Sequence, residues 1–89
     1  MKYKIEMTKK AKDDFYTLER KAQKQVAQKL RFYISLNNPL EHAKKLKNPN
    51  LGTYRFRVGD YRIIFDIDNQ NNIKILLILR IKHRKDVYL

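Results

Sequence analysis

One stretch limits the possible folds of this chain more than any other. Residues 54–65, Tyr-Arg-Phe-Arg-Val-Gly-Asp-Tyr-Arg-Ile-Ile-Phe, form two alternating runs on either side of Gly59 and Asp60. This is the pattern of a β-hairpin, because a two-residue hairpin turn needs positive φ and glycine supplies it without steric cost. With those two residues as the loop, Val58 opposes Tyr61, Arg57 opposes Arg62, Phe56 opposes Ile63 and Arg55 opposes Ile64. Side chains alternate along a strand, and cross-strand partners share a face. Tyr54, Phe56, Val58, Tyr61, Ile63 and Phe65 therefore line one face, and Arg55, Arg57 and Arg62 converge on the other. Like charges opposed across a sheet repel. An anion would relieve that cost.

The rest of the chain supplies a small α+β fold around this hairpin. Residues 1–7 alternate Tyr3, Ile5 and Met7 against Lys2, Lys4 and Glu6, which predicts a strand with one buried face. Thr8 is placed to cap a helix. Ala11, Phe15, Leu18 and Ala22, then Ala22, Val26, Leu30 and Tyr33, recur at helical spacing, so the chain to about Leu36 reads as amphipathic helix with a bend near Glu19 to Lys21. The result is a two-helix hairpin. Asn37-Asn38-Pro39 ends the second helix. A short helical turn is expected over residues 40–46, and a turn cluster over 48–52 leads into the hairpin.

Beyond the hairpin, residues 68–72 read as a polar turn and residues 73–81 as an interior strand, completing a three-stranded antiparallel meander in a twisted sheet with the helices on one face. The register of this last strand is open. A four-residue loop would put Leu79, Ile81 and His83 on the arginine face; a three- or five-residue loop, or a bulge, would put Arg80 and Lys82 there.

Eighty-nine residues suit one domain, residues 1–89. Lys and Arg outnumber Asp and Glu by 21 to 9, an excess that points to nucleic acid or another acidic partner. Lys44, Lys45 and Lys47 could steer a polyanion or simply keep the protein soluble. With no cysteine and two histidines, neither disulfide chemistry nor a dedicated metal centre is expected. No apolar stretch suits a membrane span or signal core, so a cytoplasmic protein without membrane contact is the default reading.

Arginine stays protonated and matches phosphate with paired hydrogen bonds, so Arg55, Arg57 and Arg62 can hold a phosphate and stabilise charge developing on it. Proton transfer must come from elsewhere, and the candidates are His83, Tyr88 and Lys82; Arg84 adds a further candidate phosphate contact. Without a metal, such a set supports RNA cleavage by its own 2′-hydroxyl, chemistry that DNA cannot undergo. The competing reading of the arginines is a solvated face or edge protection.

The motif Tyr54-Arg-Phe-Arg-Val-Gly-Asp-Tyr-Arg and the ending His83-Arg-Lys-Asp-Val-Tyr resemble the RelE/ParE superfamily of bacterial and archaeal toxins. The resemblance spans nearly the whole chain. It implies a RelE-like fold and two possible activities: metal-independent, cofactor-free cleavage of mRNA in the ribosomal A site, or non-enzymatic inhibition of DNA gyrase. A third possibility is a basic RNA-binding module without catalysis. By position, Arg55 and Arg57 fall on basic residues of the mRNA-cleaving branch. Arg62 falls on its phosphate-binding arginine and Tyr88 on its terminal tyrosine. Lys82 lies near a position where some members carry arginine, and His83-Arg84 matches a pair seen in others. The resemblance also implies a cognate antitoxin partner, mRNA on the ribosome with rRNA contacts, and operator DNA only through the antitoxin.

Overall fold

The computed structural model describes residues 3–47, 50 and 52–85. Its elements run β1 (Tyr3–Met7), α1 (Lys9–Thr17), α2 (Arg20–Ser35), a 3₁₀ turn (Pro39–His42), β2 (Lys44–Lys45), β3 (Tyr54–Val58), β4 (Tyr61–Gln70) and β5 (Ile73–His83). The fold is α+β, with a five-stranded sheet in the order β1-β5-β4-β3-β2.

The hairpin forms in the register read from its sequence, Arg57 opposite Arg62 and Phe56 opposite Ile63. Gly59 takes φ +57 at the turn. Phe56, Val58, Ile63 and Phe65 are buried in a core that also holds Val26, Leu30 and Tyr33 of α2, so the helices cover this face. The rings of Tyr33, Phe56 and Phe65 stack in series, with centroids 4.0 and 4.3 Å apart and planes 19° from parallel in both pairs.

Thr8 turns the chain from β1 into α1. Its hydroxyl oxygen accepts the Ala11 amide at 3.1 Å, as a helix N-cap does. The break between the helices falls at Leu18 and Glu19, both extended, with ψ of 151°. No proline or glycine is needed there, because other donors satisfy the freed Phe15 carbonyl: the Leu18 amide at 3.1 Å and the Gln23 side-chain amide at 3.0 Å.

Two expectations change. The helical turn is confined to Pro39–His42, and the chain then adds a short fifth strand, β2, in which Lys44 pairs with Arg55. Two lysines carry no periodic signal, so only the open edge of β3 reveals them as a strand. The polar segment before β5 is mostly strand: β4 runs to Gln70, and only Asn71 and Asn72 turn, both with positive φ. Asparagine tolerates that region, which makes a two-residue turn sufficient. β5 also pairs in parallel with β1, from Tyr3 opposite Lys74 to Met7 opposite Ile78.

The open register of β5 is settled by a bulge. Phe65 opposes Ile78 but Ile64 opposes Arg80, leaving Leu79 as the extra residue. Thr8 holds this irregular point: its amide donates to the Ile78 carbonyl and its hydroxyl donates to the Leu79 carbonyl, both at 3.0 Å. From there on, Arg80 and Lys82 share the face of Arg62.

On that outer face the loop before β3 lies against the sheet. Gly52 is buried with φ +147, and a β-carbon there would approach Ile64 Cγ2 to 2.6 Å and Leu79 Cδ1 to 3.0 Å. The Thr53 amide donates to Asp66 Oδ1 at 2.8 Å, fixing the approach. Gly52→Ala is expected to cost about 1–3 kcal/mol through this overpacking. Thermal unfolding should show it as a midpoint at least about 4 °C lower.

Candidate functional site

The site is a row of cations across three strands. Arg57 of β3 opposes Arg62 of β4, and Arg62 opposes Lys82 of β5. Cross-strand neighbours on one face lie close enough for their side chains to interact, so the three cations project side by side. A parallel row runs Lys44, Arg55, Ile64 and Arg80. Arg62 sits at the centre and is only 6% exposed, whereas Arg57 is exposed and Lys82 half-buried. Exposed Arg57 and half-buried Lys82, with the guanidinium of Arg62 beneath and between them, make this part of the sheet positive, a character suited to phosphate, which can accept paired hydrogen bonds.

Arg80 is committed elsewhere. Its Nε donates to Asp14 Oδ2 at 2.8 Å and its Nη2 to Asp14 Oδ1 at 3.0 Å, while the Ile81 amide donates to Oδ2 at 2.9 Å. Asp14 of α1 therefore clamps the edge of β5 beyond the end of β1, immediately before Lys82. Burial pushes the Asp14 carboxyl up, but the Arg80 and Ile81 hydrogen bonds and the charges of Arg80 and Lys82 outweigh it and hold the pKa below the ordinary carboxylate value. Donating to the Asp14 carboxylate raises the Arg80 pKa in turn, against the opposing effect of burial.

A carboxyl whose pKa is lowered on folding stabilises the fold above its unfolded value and loses that contribution as pH falls through the folded value. Asp14→Asn should accordingly cost about 1.5–3 kcal/mol at neutral pH, towards the lower end because solvent screens the partly exposed pair. In urea unfolding the gap between wild type and variant should be full at pH 7, shrink below about pH 4 and close with further acidification. A gap that stayed constant with pH would remove Asp14 ionisation as its cause.

His83 is placed differently from Lys82. It opposes Tyr61 on the helix-covered side of the sheet, with ring centroids 5.5 Å apart, and its Nδ1 accepts the Lys85 amide at 3.2 Å. The sheet thus separates the imidazole from the Arg57, Arg62 and Lys82 row. The Arg84 amide donates to the Asp60 carbonyl at 2.7 Å, which ties the end of β5 to the hairpin turn and leaves the Arg84 side chain exposed. Tyr88 lies outside the described residues. Sequence reasoning did not reach the Asp14 clamp, which joins positions 66 apart. It also missed Lys44 as a neighbour of Arg55, a placement visible only through the β2 to β3 pairing.

A family model described as the ParE toxin of the type II toxin-antitoxin system parDE matches residues 5–88. The chain belongs to the RelE/ParE toxin superfamily. Within this superfamily, toxin RelG of Mycobacterium tuberculosis is 31% identical over 88 residues, covering 99% of this chain and 98% of the relative. The toxin-antitoxin complex RelBE2 from the same organism matches with a TM-score of 0.72 at 26% identity, over 94% of this chain and 100% of that one. The archaeal RelE-RelB complex from Pyrococcus horikoshii OT3 shares the fold at a TM-score of 0.68 and 22% identity, over 94% and 97% of the two chains. The RelE/ParE fold thus accounts for the sheet that carries the arginine row. Among the described residues, no helix is long and apolar enough to cross a membrane.

Proposed function

We propose that this toxin is a ribosome-dependent endoribonuclease that cuts mRNA at the A site by attack of the substrate's own 2′-hydroxyl, and that residues 1–89 form one domain for this purpose. The observation that carries the reading is the Arg57, Arg62 and Lys82 row, held in register across three strands by a bulge. Adjacent cations on one face suit a scissile phosphate, whose oxygens accept charge-assisted and paired hydrogen bonds.

In this mechanism a base takes the 2′-hydroxyl proton, the oxygen attacks phosphorus, and the 5′-oxygen leaves with a proton from an acid. The products are a 2′,3′-cyclic phosphate and a free 5′-hydroxyl. Arg62 binds the non-bridging oxygens and stabilises the charge that builds on them, with Arg57, Arg55 and Arg84 adding phosphate contacts. Lys82, opposite Arg62, gives a proton to the leaving oxygen; Tyr88 is the remaining candidate for the base. His83, on the far face, serves this chemistry only if the end of β5 rearranges. Ribosomal positioning of the RNA in line supplies much of the rate, since orientation alone can be worth about 7–11 kcal/mol.

A cognate antitoxin is the expected partner, supported by the toxin-antitoxin complexes among the structural matches. Operator DNA would be met only through that antitoxin. The matching family model is that of a ParE toxin, so the second activity that the resemblance implies, gyrase inhibition without catalysis, is the alternative reading. Primer extension on mRNA held in translating ribosomes separates the two. Cuts at the A-site codon with cyclic or 3′-phosphate ends support cleavage. Intact mRNA together with stoichiometric loss of gyrase supercoiling supports the second reading.

A further inference from the structure

Helix α2 carries a charge pattern that neither its own stability nor the arginine row explains. Apart from Ser35, every polar side chain in it is Lys, Arg or Gln, and Arg20, Lys21, Lys24, Lys29 and Arg31 are all exposed. Arg20 and Lys21 occupy the first turn, where the helix dipole disfavours cations, and the last turn has no basic residue. Arg20 and Lys24 also form a like-charged i,i+4 pair. Among the described residues, the one ion pair is that of Arg80 with Asp14, so none of these five cations is neutralised by a carboxylate. Glu19 at the N-cap makes no capping hydrogen bond with its side chain.

The cations are also arranged by face. Arg20, Lys24 and Arg31 fall on one stripe about 16 Å long, beside a groove of about 460 Å³ floored by Phe15 and Ala27. Gln28 separates this groove from a second, of about 360 Å³, between Phe32, Lys29 and the hairpin tip at Val58 and Gly59. Phe32 is 46% exposed, and Lys29 Nζ lies over its ring, 5.7 Å from the centroid. The ring meets His42 edge-on at 5.8 Å and is flanked by the amides of Gln25 and Gln28; an unpaired base that displaces the Lys29 ammonium from the ring could stack on it, the amides can bond base edges, and the released lysine can meet a phosphate.

We propose that the exposed face of α2 is a second RNA-binding surface, with Arg20, Lys24 and Arg31 on backbone phosphates and the Phe32 groove holding one unpaired base. It lies across the sheet from the Arg57, Arg62 and Lys82 row and contributes affinity, with no part in bond cleavage. The inference deepens the reading of the protein as one that acts on RNA. An acidic protein segment would use the cations but would have no need of an exposed aromatic beside paired amides.

The test is fluorescence anisotropy of the full chain with a labelled 12-nucleotide single-stranded RNA and a fully paired 20-base-pair RNA duplex, in wild-type and Arg62→Ala backgrounds. In both, Lys24→Gln with Arg31→Gln should weaken binding of either RNA about tenfold or more and reduce the salt slope for the single strand by about 1.4. Phe32→Ala should weaken the single strand about fivefold or more and leave the duplex unchanged. Removing cations from α2 relieves repulsion, so lost affinity with an unchanged melting temperature is not unfolding. Unchanged affinity and slope in the double variant would overturn the inference, as would retained RNA binding with loss of binding to a glutamate-rich peptide. If the α2 variants lose RNA affinity while wild type cuts no ribosomal mRNA, the cleavage reading fails and the inference stands. If wild type cuts ribosomal mRNA while the α2 variants keep full RNA affinity, cleavage stands and the second surface is ruled out.

Discussion

Arg62→Ala is expected to lower cleavage of ribosome-held mRNA by about 10²–10³-fold, the loss typical when one donor to a developing oxyanion is removed. Ribosome binding should fall much less. The distinction follows from where Arg62 sits: it is the central, buried member of the cation row, with Arg57 and Lys82 as its cross-strand neighbours. Peripheral cations attract the polyanion in ground and transition states alike, whereas a guanidinium held in one orientation gains most when negative charge concentrates on the phosphate. Arg62→Lys should recover only part of the rate, because an ammonium cannot form the paired hydrogen bonds. Single-turnover primer extension, with ribosome binding measured in parallel, checks both statements. Equal losses in binding and cleavage would show Arg62 to be a docking residue.

Phe56→Ala should cost more stability than Gly52→Ala or Asp14→Asn, about 3–5 kcal/mol. Phe56 is 0% exposed and lies between Tyr33 of α2 and Phe65 of β4 in the three-ring stack, so its removal leaves a cavity bounded by two rigid rings. Against a total of about 5–15 kcal/mol for a typical domain, that is a large share. The melting temperature should fall by about 12 °C or more. Phe56→Leu should cost less by refilling part of the space. A fall of only a few degrees in Phe56→Ala would mean that α2 and the hairpin collapse onto each other once the middle ring is gone, so that the stack does not hold them apart.

What could be read from the amino acids follows from the range of the interactions involved. The hairpin, its register and its two faces were legible because alternation and a Gly-Asp turn are local signals over twelve positions. Thr8 as a cap and the break near Glu19 were legible for the same reason. The register of β5 was not, since it depends on the bulge at Leu79, and a bulge is stabilised by partners such as Thr8 that lie far away in sequence. The Asp14 to Arg80 clamp is similarly non-local, and β2 is too short and too polar to announce itself. For the site, the arginines could be placed on one face from pattern alone. Telling which of Lys82 and His83 shares the arginine face required the bulge, because adjacent residues on a strand point to opposite sides.

The strand order has a consequence for how the toxin comes into being. β5 lies between β1 and β4, yet it is the latest of the five strands to leave the ribosome during synthesis. Until residue 83 has emerged, β1 has no partner and β4 keeps one open edge. Lys82 is among the last residues to arrive. Arg57 and Arg62 can meet as soon as the β3–β4 hairpin forms, but Lys82 joins them only with the last residues of β5, so the cation row is completed together with the sheet, late in synthesis.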